Sequence, residues 1–161
     1  MNTYMQTLTA DQQAMIREAA DTLERAYLRG PEITSPHAMS GLLKLKLGAL
    51  PHEVFTVVFL NTRHRIMAIE EMFRGTIDGA TVHPREVAKR ALELNAAAVI
   101  LAHNHPSGTP DPSRQDIALT RRLGQALALL DIRVLDHFVI GEGEPVSMAE
   151  LGLYTAPSTS S

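Results

Sequence analysis

Between Thr9 and Gly30 the apolar residues Ile16, Ala19, Ala20, Leu23 and Tyr27 recur at three- and four-residue intervals, the spacing that gathers side chains on one face of a helix. Gly30 followed by Pro31 predicts its end. Ser35 as an N-cap, with Pro36 at the first helical position, predicts a second helix whose stripe of Met39, Leu42, Leu43 and Leu47 stops before Gly48. The pattern then changes. Val54–Leu60 is β-branched and aromatic, and Asn61–His64 divides it from the run Ile66–Phe73, which predicts a β-hairpin. After the turn signal Asp78-Gly79, Pro84 opens a helix with Val87, Ala91 and Leu94 on one face. Ala96–Ala102 is apolar at every position, as expected of a central strand buried on both faces. It runs into His103–Pro112, where three prolines and a glycine preclude regular structure. Ser113 begins another helix with Leu119, Leu123, Ala126, Leu127 and Leu130 on its buried side. Ile132–Ile140 reads as a strand, Ser147–Leu151 as a short helical turn and residues 155–161 as a disordered tail.

Helices before a hairpin, then strands alternating with helices, predict an α/β protein of the α+β type: a mixed, mainly central sheet flanked by helices. The division expected is an N-terminal helical extension over residues 1–50, one sheet domain over 51–154 and the tail over 155–161. The length of 161 residues fits a single domain. Composition adds exclusions. The chain has no cysteine, which removes disulfides, Cys-ligated zinc, iron–sulfur sites and a cysteine nucleophile, and leaves histidine and carboxylate as metal ligands. With 15 Lys+Arg against 18 Asp+Glu the net charge is −3, so the molecule lacks the positive field of a non-specific nucleic-acid binder. No apolar run approaches the roughly 18 to 20 residues that span a bilayer, and the N-terminus has neither a basic start nor an apolar core. The expectation is a cytoplasmic protein with no membrane partner.

Chemistry concentrates at His103–Asp116, where the most buried strand runs out, which is where ligands bind in open sheets. Residues two apart on an extended segment point the same way, about 6.6 Å apart, so His103 and His105 can converge on one ion. Ser113 and Asp116 are one helical turn apart at a helix N-terminus, and Asp116 there supplies a third ligand. Two imidazoles and a carboxylate leave a fourth position open, the pattern of a catalytic zinc site. The plainer reading of Ser113 and Asp116 is a capping box, and the two roles are compatible.

The run His103-x-His105-Pro106-x6-Ser113-x2-Asp116 resembles the JAMM motif of the MPN-plus metalloproteases. Its surroundings, Phe73-Arg74-Gly75-Thr76, His83-Pro84-Arg85-Glu86, Asn95-Ala96-Ala97-Ala98, Asn104 between the histidines and Asp136-His137, look like the bacterial RadC branch. The resemblance covers about Glu53 to Leu153. It implies an MPN/JAB-like fold for the sheet domain, one Zn2+ per chain held by His103, His105 and Asp116, and a zinc-dependent hydrolase of peptide or isopeptide bonds. It also implies Glu53 as the general base and Ser113 as the donor to the oxyanion. Glu70 and Glu71 compete with Glu53 from within the hairpin, one on each face. His137 beside Asp136 either supports a ligand from behind or simply sits in a strand; His37, His52, His64 and His83 read as surface or satisfied polar residues.

A metal-free or metal-bearing MPN interaction module is one alternative, and the complete ligand set argues against it. A RadC-type DNA-repair or nucleic-acid association is another, pointed to by Arg85, Lys89, Arg90, Arg121 and Arg122. The charge of −3 and 4% aromatic content oppose it. So does the absence of a Gly-x-Gly hairpin in the two helices before Glu53, where longer relatives carry a helix-hairpin-helix-like region. The expected partner is a protein or peptide substrate, and no pattern in the chain fixes an oligomeric state.

Overall fold

In a computed structural model, which describes residues 7–78 and 81–158, the chain forms a five-stranded mixed sheet of order β2-β1-β3-β4-β5. The elements are α1 (Ala10–Leu28), a 3-10 turn (Pro36–Met39), α2 (Ser40–Leu47), β1 (Val54–Leu60), β2 (Ile66–Arg74), α3 (Pro84–Glu93), β3 (Ala98–Asn104), α4 (Arg114–Ala128), β4 (Arg133–Ile140) and β5 (Val146–Ser147). The expected mixed α/β class is the one observed. β1 pairs antiparallel with β2 and with β3, β3 runs parallel to β4 through the α4 crossover, and β5 closes the far edge antiparallel to β4. Every residue of β1 and of β3 is buried, because both lie inside the sheet with helices on both faces.

Two cores sit on the two faces. Val57, Phe59, Val99 and Leu101 face Val87 and Ala91 of α3 and Leu119, Leu123 and Leu127 of α4. Val54, Val58, Leu60, Ile100, Ala102 and Phe138 face Met39 and the α2 residues Leu42, Leu43 and Leu47, with Leu23 and Tyr27 of α1 packed behind. Residues 33–47 therefore share a core with the sheet, and α2 is a layer of the sheet body rather than an appendage to it. α1 begins with a capping box between Thr9 and Gln12 and is tied to α2 by the Lys46–Glu24 ion pair at 3.1 Å.

Several expected boundaries move. Ser35 caps the 3-10 turn without a side-chain bond, and α2 starts only at Ser40. β3 starts at Ala98, two residues late, because Asn95 takes φ +58° and Ala96 N donates back to Ala91 O at 2.8 Å. At its other end β3 continues through His103 and Asn104, which pair with Val139 and Ile140. The helical turn expected over Ser147–Leu151 is a single turn, Leu151 N to Ser147 O at 3.2 Å, preceded by the two-residue strand β5. Of the expected disordered tail, residues 155–158 are described and Ala156 packs against the core; 159–161 lie outside the described residues, as does Gly79 of the predicted Asp78-Gly79 turn. Among the described residues no helix is long and apolar enough to cross a membrane.

Candidate metal centre

Alternation along β3 sends Val99, Leu101 and His103 to the α3/α4 face. His103 is held on both sides, by Phe55 of β1 and Val139 of β4. His105 follows just past the strand end, where its N–H still reaches Ile140 O at 2.8 Å, so it stays on the face of His103. The loop beyond it is pinned by close approach: a Cβ on Gly141 would lie 2.6 Å from the Gly108 carbonyl and 2.9 Å from Pro110 N. Gly108 itself adopts φ +96°, a conformation open to glycine.

Asp116 arrives from the first turn of α4, where it forms a reciprocal capping box with Ser113: Asp116 N donates to Ser113 Oγ at 3.0 Å and Ser113 N to Asp116 Oδ2 at 2.8 Å. The cap orients the carboxylate. His103 Nε2 lies 3.0 Å from His105 Nε2 and 3.2 Å from Asp116 Oδ1, and His105 Nε2 lies 3.2 Å from Asp116 Oδ2. The three side chains can hold one metal ion, so the residues picked out by the His-x-His and Ser-x-x-Asp spacing do meet.

The electrostatics of this cluster call for positive charge. Burial works against ionised Asp116, yet hydrogen bonds with His103 and His105 hold its carboxyl well below the usual carboxylate range. The Asp116 carboxylate likewise pushes His105 up, against the opposing effect of burial. His137 is pushed well down, first by complete burial and then by the neighbouring His103; it is a neutral imidazole. A cation between the Nε2 atoms and the carboxylate meets the same demand as these protons.

Around the three candidate ligands stands a layer of support. His105 Nδ1 is 2.8 Å from the Thr109 carbonyl, and His103 Nδ1 is 2.7 Å from His137 Nε2. Phe55 stacks on His103 with centroids 6.5 Å apart and meets His137 edge-on at 5.6 Å. His137 thus sits in a strand and also stands directly behind His103. Its strand is steadied by Asp136, whose carboxylate accepts from His137 N at 2.7 Å, Ala149 N at 3.0 Å and the Ser147 hydroxyl; burial pushes its pKa up against these bonds.

Glu53 lies two residues beyond the Phe55–His103 pair, and continuing that antiparallel register sets it opposite His105. Its charge acts on His105, and it is clamped rather than free: Glu53 Oε2 accepts from Ile77 N at 2.6 Å and its carbonyl from Gly75 N at 3.0 Å. Glu70 and Glu71 are drawn elsewhere, into ion pairs with Arg90 at 2.7 Å and Arg74 at 2.8 Å. Of the remaining histidines, His37 lies 3.5 Å from Glu150 at the surface. His52 departs from its expected satisfied state, since its Nε2 is buried without a hydrogen bond.

Two supporting residues have no role legible in the sequence. Asn104 points to the opposite face, where its Oδ1 accepts from Val54 N at 2.8 Å and its Nδ2 donates to His52 O at 2.9 Å. It grips the main chain on either side of Glu53. Thr120 lies one helical turn after Asp116, with its hydroxyl 2.6 Å from His137 Nδ1; the i, i+4 spacing was the only clue to it in the sequence.

Residues 33–153 match the family described as the RadC-like JAB domain. A UPF0758 protein of Nitrosococcus oceani is 57% identical over 141 residues, covering 88% of this chain and 63% of its own. UPF0758 proteins of Azotobacter vinelandii and Methylibium petroleiphilum are 54% and 56% identical over 143 and 144 residues, 89% of this chain in each case and 64% and 65% of theirs. The chain therefore spans a little under two-thirds of the length of these relatives. A match of this extent, which includes the β3–loop–α4 segment that assembles His103, His105 and Asp116, makes the chain a member of the RadC-like JAB domain family.

Proposed function

We propose that this protein is a zinc-dependent hydrolase of peptide or isopeptide bonds. The observation that carries the reading is the convergence of His103 Nε2, His105 Nε2 and the Asp116 carboxylate: the two nitrogens lie 3.0 Å apart, and each lies 3.2 Å from a different oxygen of Asp116. Ligand atoms around a tetrahedral zinc, each about 2.0–2.1 Å from the metal, lie about 3.3 Å apart. The donor set fits: two nitrogens and one oxygen, with no fourth protein ligand among the described residues, is the composition of an open rather than a closed zinc site. When bound, zinc supplies Lewis acidity, bringing the pKa of water down to about 7 and polarising a carbonyl.

The chain's own residues do the rest. Glu53, with Oε2 bonded to Ile77 N, presents Oε1 as the acceptor for the proton of the attacking water, and it returns that proton to the departing amine. Its bond to Ile77 holds the carboxylate in one orientation. Ser113 accepts from Asp116 N through its oxygen, which leaves its hydroxyl hydrogen to donate to the developing oxyanion. Loss of such a donor typically costs 100- to 1,000-fold in rate. Water adds across the amide, giving a carboxylate and an amine.

Metal analysis of the purified protein tests the reading. Near-stoichiometric zinc is expected in the wild type and is expected to be lost in His103→Ala and Asp116→Ala; equal metal content in all three sinks the assignment. Glu53→Gln is expected to retain zinc and lose turnover of amide substrates. Zinc-loaded wild type with no turnover across a peptide and isopeptide panel leaves the interaction module instead. DNA binding at low salt, where phosphate contacts are strongest, would bring back the nucleic-acid reading.

A further inference from the structure

We propose that His137 and Thr120 are positioning residues that fix the His103 ring in the tautomer protonated on Nδ1, keeping its Nε2 lone pair aimed at the ligand cluster. The proposal rests on the metal-site reading above. It turns on the direction of one hydroxyl hydrogen. Thr120 Oγ1 lies 2.7 Å from the main-chain carbonyl of Asp116, a group that can only accept, so the hydroxyl hydrogen points there. The Met148 sulfur at 3.3 Å is a weaker acceptor and does not compete.

With its hydrogen committed, Thr120 Oγ1 can only accept from His137 Nδ1 at 2.6 Å. His137 is therefore protonated on Nδ1, and its Nε2 is a bare acceptor. That acceptor lies 2.7 Å from His103 Nδ1, closer than Asp116 Oδ1 lies to Nε2 at 3.2 Å, which places the proton of a neutral His103 on Nδ1 and leaves its Nε2 unprotonated. His105 reaches the same state by a shorter route, its Nδ1 donating to the Thr109 carbonyl at 2.8 Å. Each ligand ring is thus oriented by a main-chain carbonyl, directly for His105 and through two side chains for His103.

Burial keeps the longer chain from reversing. Thr120 and His137 are 0% exposed and His103 1%, so solvent offers no alternative donor or acceptor along it. Asp116 enters the site twice, through the carboxylate that faces both imidazoles and through the carbonyl that sets the direction of the chain. One turn of α4 therefore supplies a ligand and selects the lone pair of another.

The test uses the full chain and zinc alone. In metal-free protein, at a pH alkaline enough for the imidazoles to be neutral, nitrogen-15 NMR of His103 reports the tautomer. Nδ1–H is expected in the wild type, with population moving to Nε2–H in the nearly isosteric Thr120→Val. In chelator competition, Thr120→Val and His137→Phe are expected to bind zinc about 10- to 100-fold more weakly than wild type, with Thr120→Ser recovering the loss. A side chain that only fills space would change melting temperature without moving the tautomer or the affinity. His103 protonated on Nε2 in the wild type, or wild-type zinc affinity in folded Thr120→Val, overturns the proposal. A wild type that binds no zinc removes the metal reading instead, and the NMR arm still decides the direction of the hydrogen-bond chain.

Discussion

Along β3, Ala98, Ile100 and Ala102 enter the core beneath α2, whereas Val99, Leu101 and His103 enter the core beneath α3 and α4. The same strand builds both faces, and they differ in kind. The hydrophobic cluster of the α2 face is built from aliphatic residues, Met39 and Phe138, with Tyr27 packed against it. The α3/α4 face is equally apolar at its centre, but at the C-terminal end of β3 it changes into a buried polar network of His103, His137, Thr120 and Asp116 in which each group has a partner. A period of two lets one strand serve a dry core and a ligand site at once, provided that the polar side is fully hydrogen-bonded.

Core truncation gives the largest expected effect on stability. Leu43→Ala on α2 and Leu123→Ala on α4 each remove a fully buried side chain and should each lower unfolding free energy by about 2–5 kcal/mol in denaturant titrations. They are expected to differ in zinc affinity measured on the folded protein: unchanged for Leu43→Ala, weakened for Leu123→Ala, whose helix carries Asp116. Equal affinities would show that the ligand helix tolerates a defect in its packing.

The same threonine-to-valine change should have opposite signs on the two faces. Thr120→Val leaves His137 Nδ1 without its acceptor and should cost about 1–3 kcal/mol. Thr56, fully buried on the α2 face, has a hydroxyl with no partner, so Thr56→Val should raise stability by about 1 kcal/mol. A loss from Thr56→Val would mean that its hydroxyl is satisfied by water.

Asn104 crosses the division, since it lies on the α2 face and grips the chain beside Glu53. Asn104→Leu leaves Val54 N and His52 O unpaired and should cost about 1–3 kcal/mol, with zinc content unchanged and amide turnover reduced; unchanged turnover would confine Asn104 to stability. Ser113→Ala removes an N-cap and should cost about 1 kcal/mol. If the oxyanion role holds, the rate falls far more than that loss of stability explains, whereas a cap alone leaves the rate in place. The smallest effect is expected from His37→Ala, an exposed contact to Glu150, which should stay within about 0.5 kcal/mol on thermal melts.

Much of the site was legible because its ligands are local. His103 and His105 are two residues apart at the end of an apolar run, and Ser113 and Asp116 are one turn apart at a helix start, so short-range geometry aims each pair. Glu53 was legible only through the family motif. A glutamate before a strand has no local signature, and its place opposite His105 depends on the β1–β3 pairing across fifty residues of chain. Asn104 had a position but no visible task, since the partners of its amide come from the other end of that pairing.

The sequence by itself determined the order and type of the main elements, the Ser113–Asp116 cap and the candidate ligand types, because each depends on residues within a turn or two of one another. Only the tertiary structure decided which strands neighbour which, that α2 belongs to the sheet body and that His137 stands behind His103. These are contacts between segments far apart in the chain, and their register is fixed by the packing of whole faces rather than by any local preference.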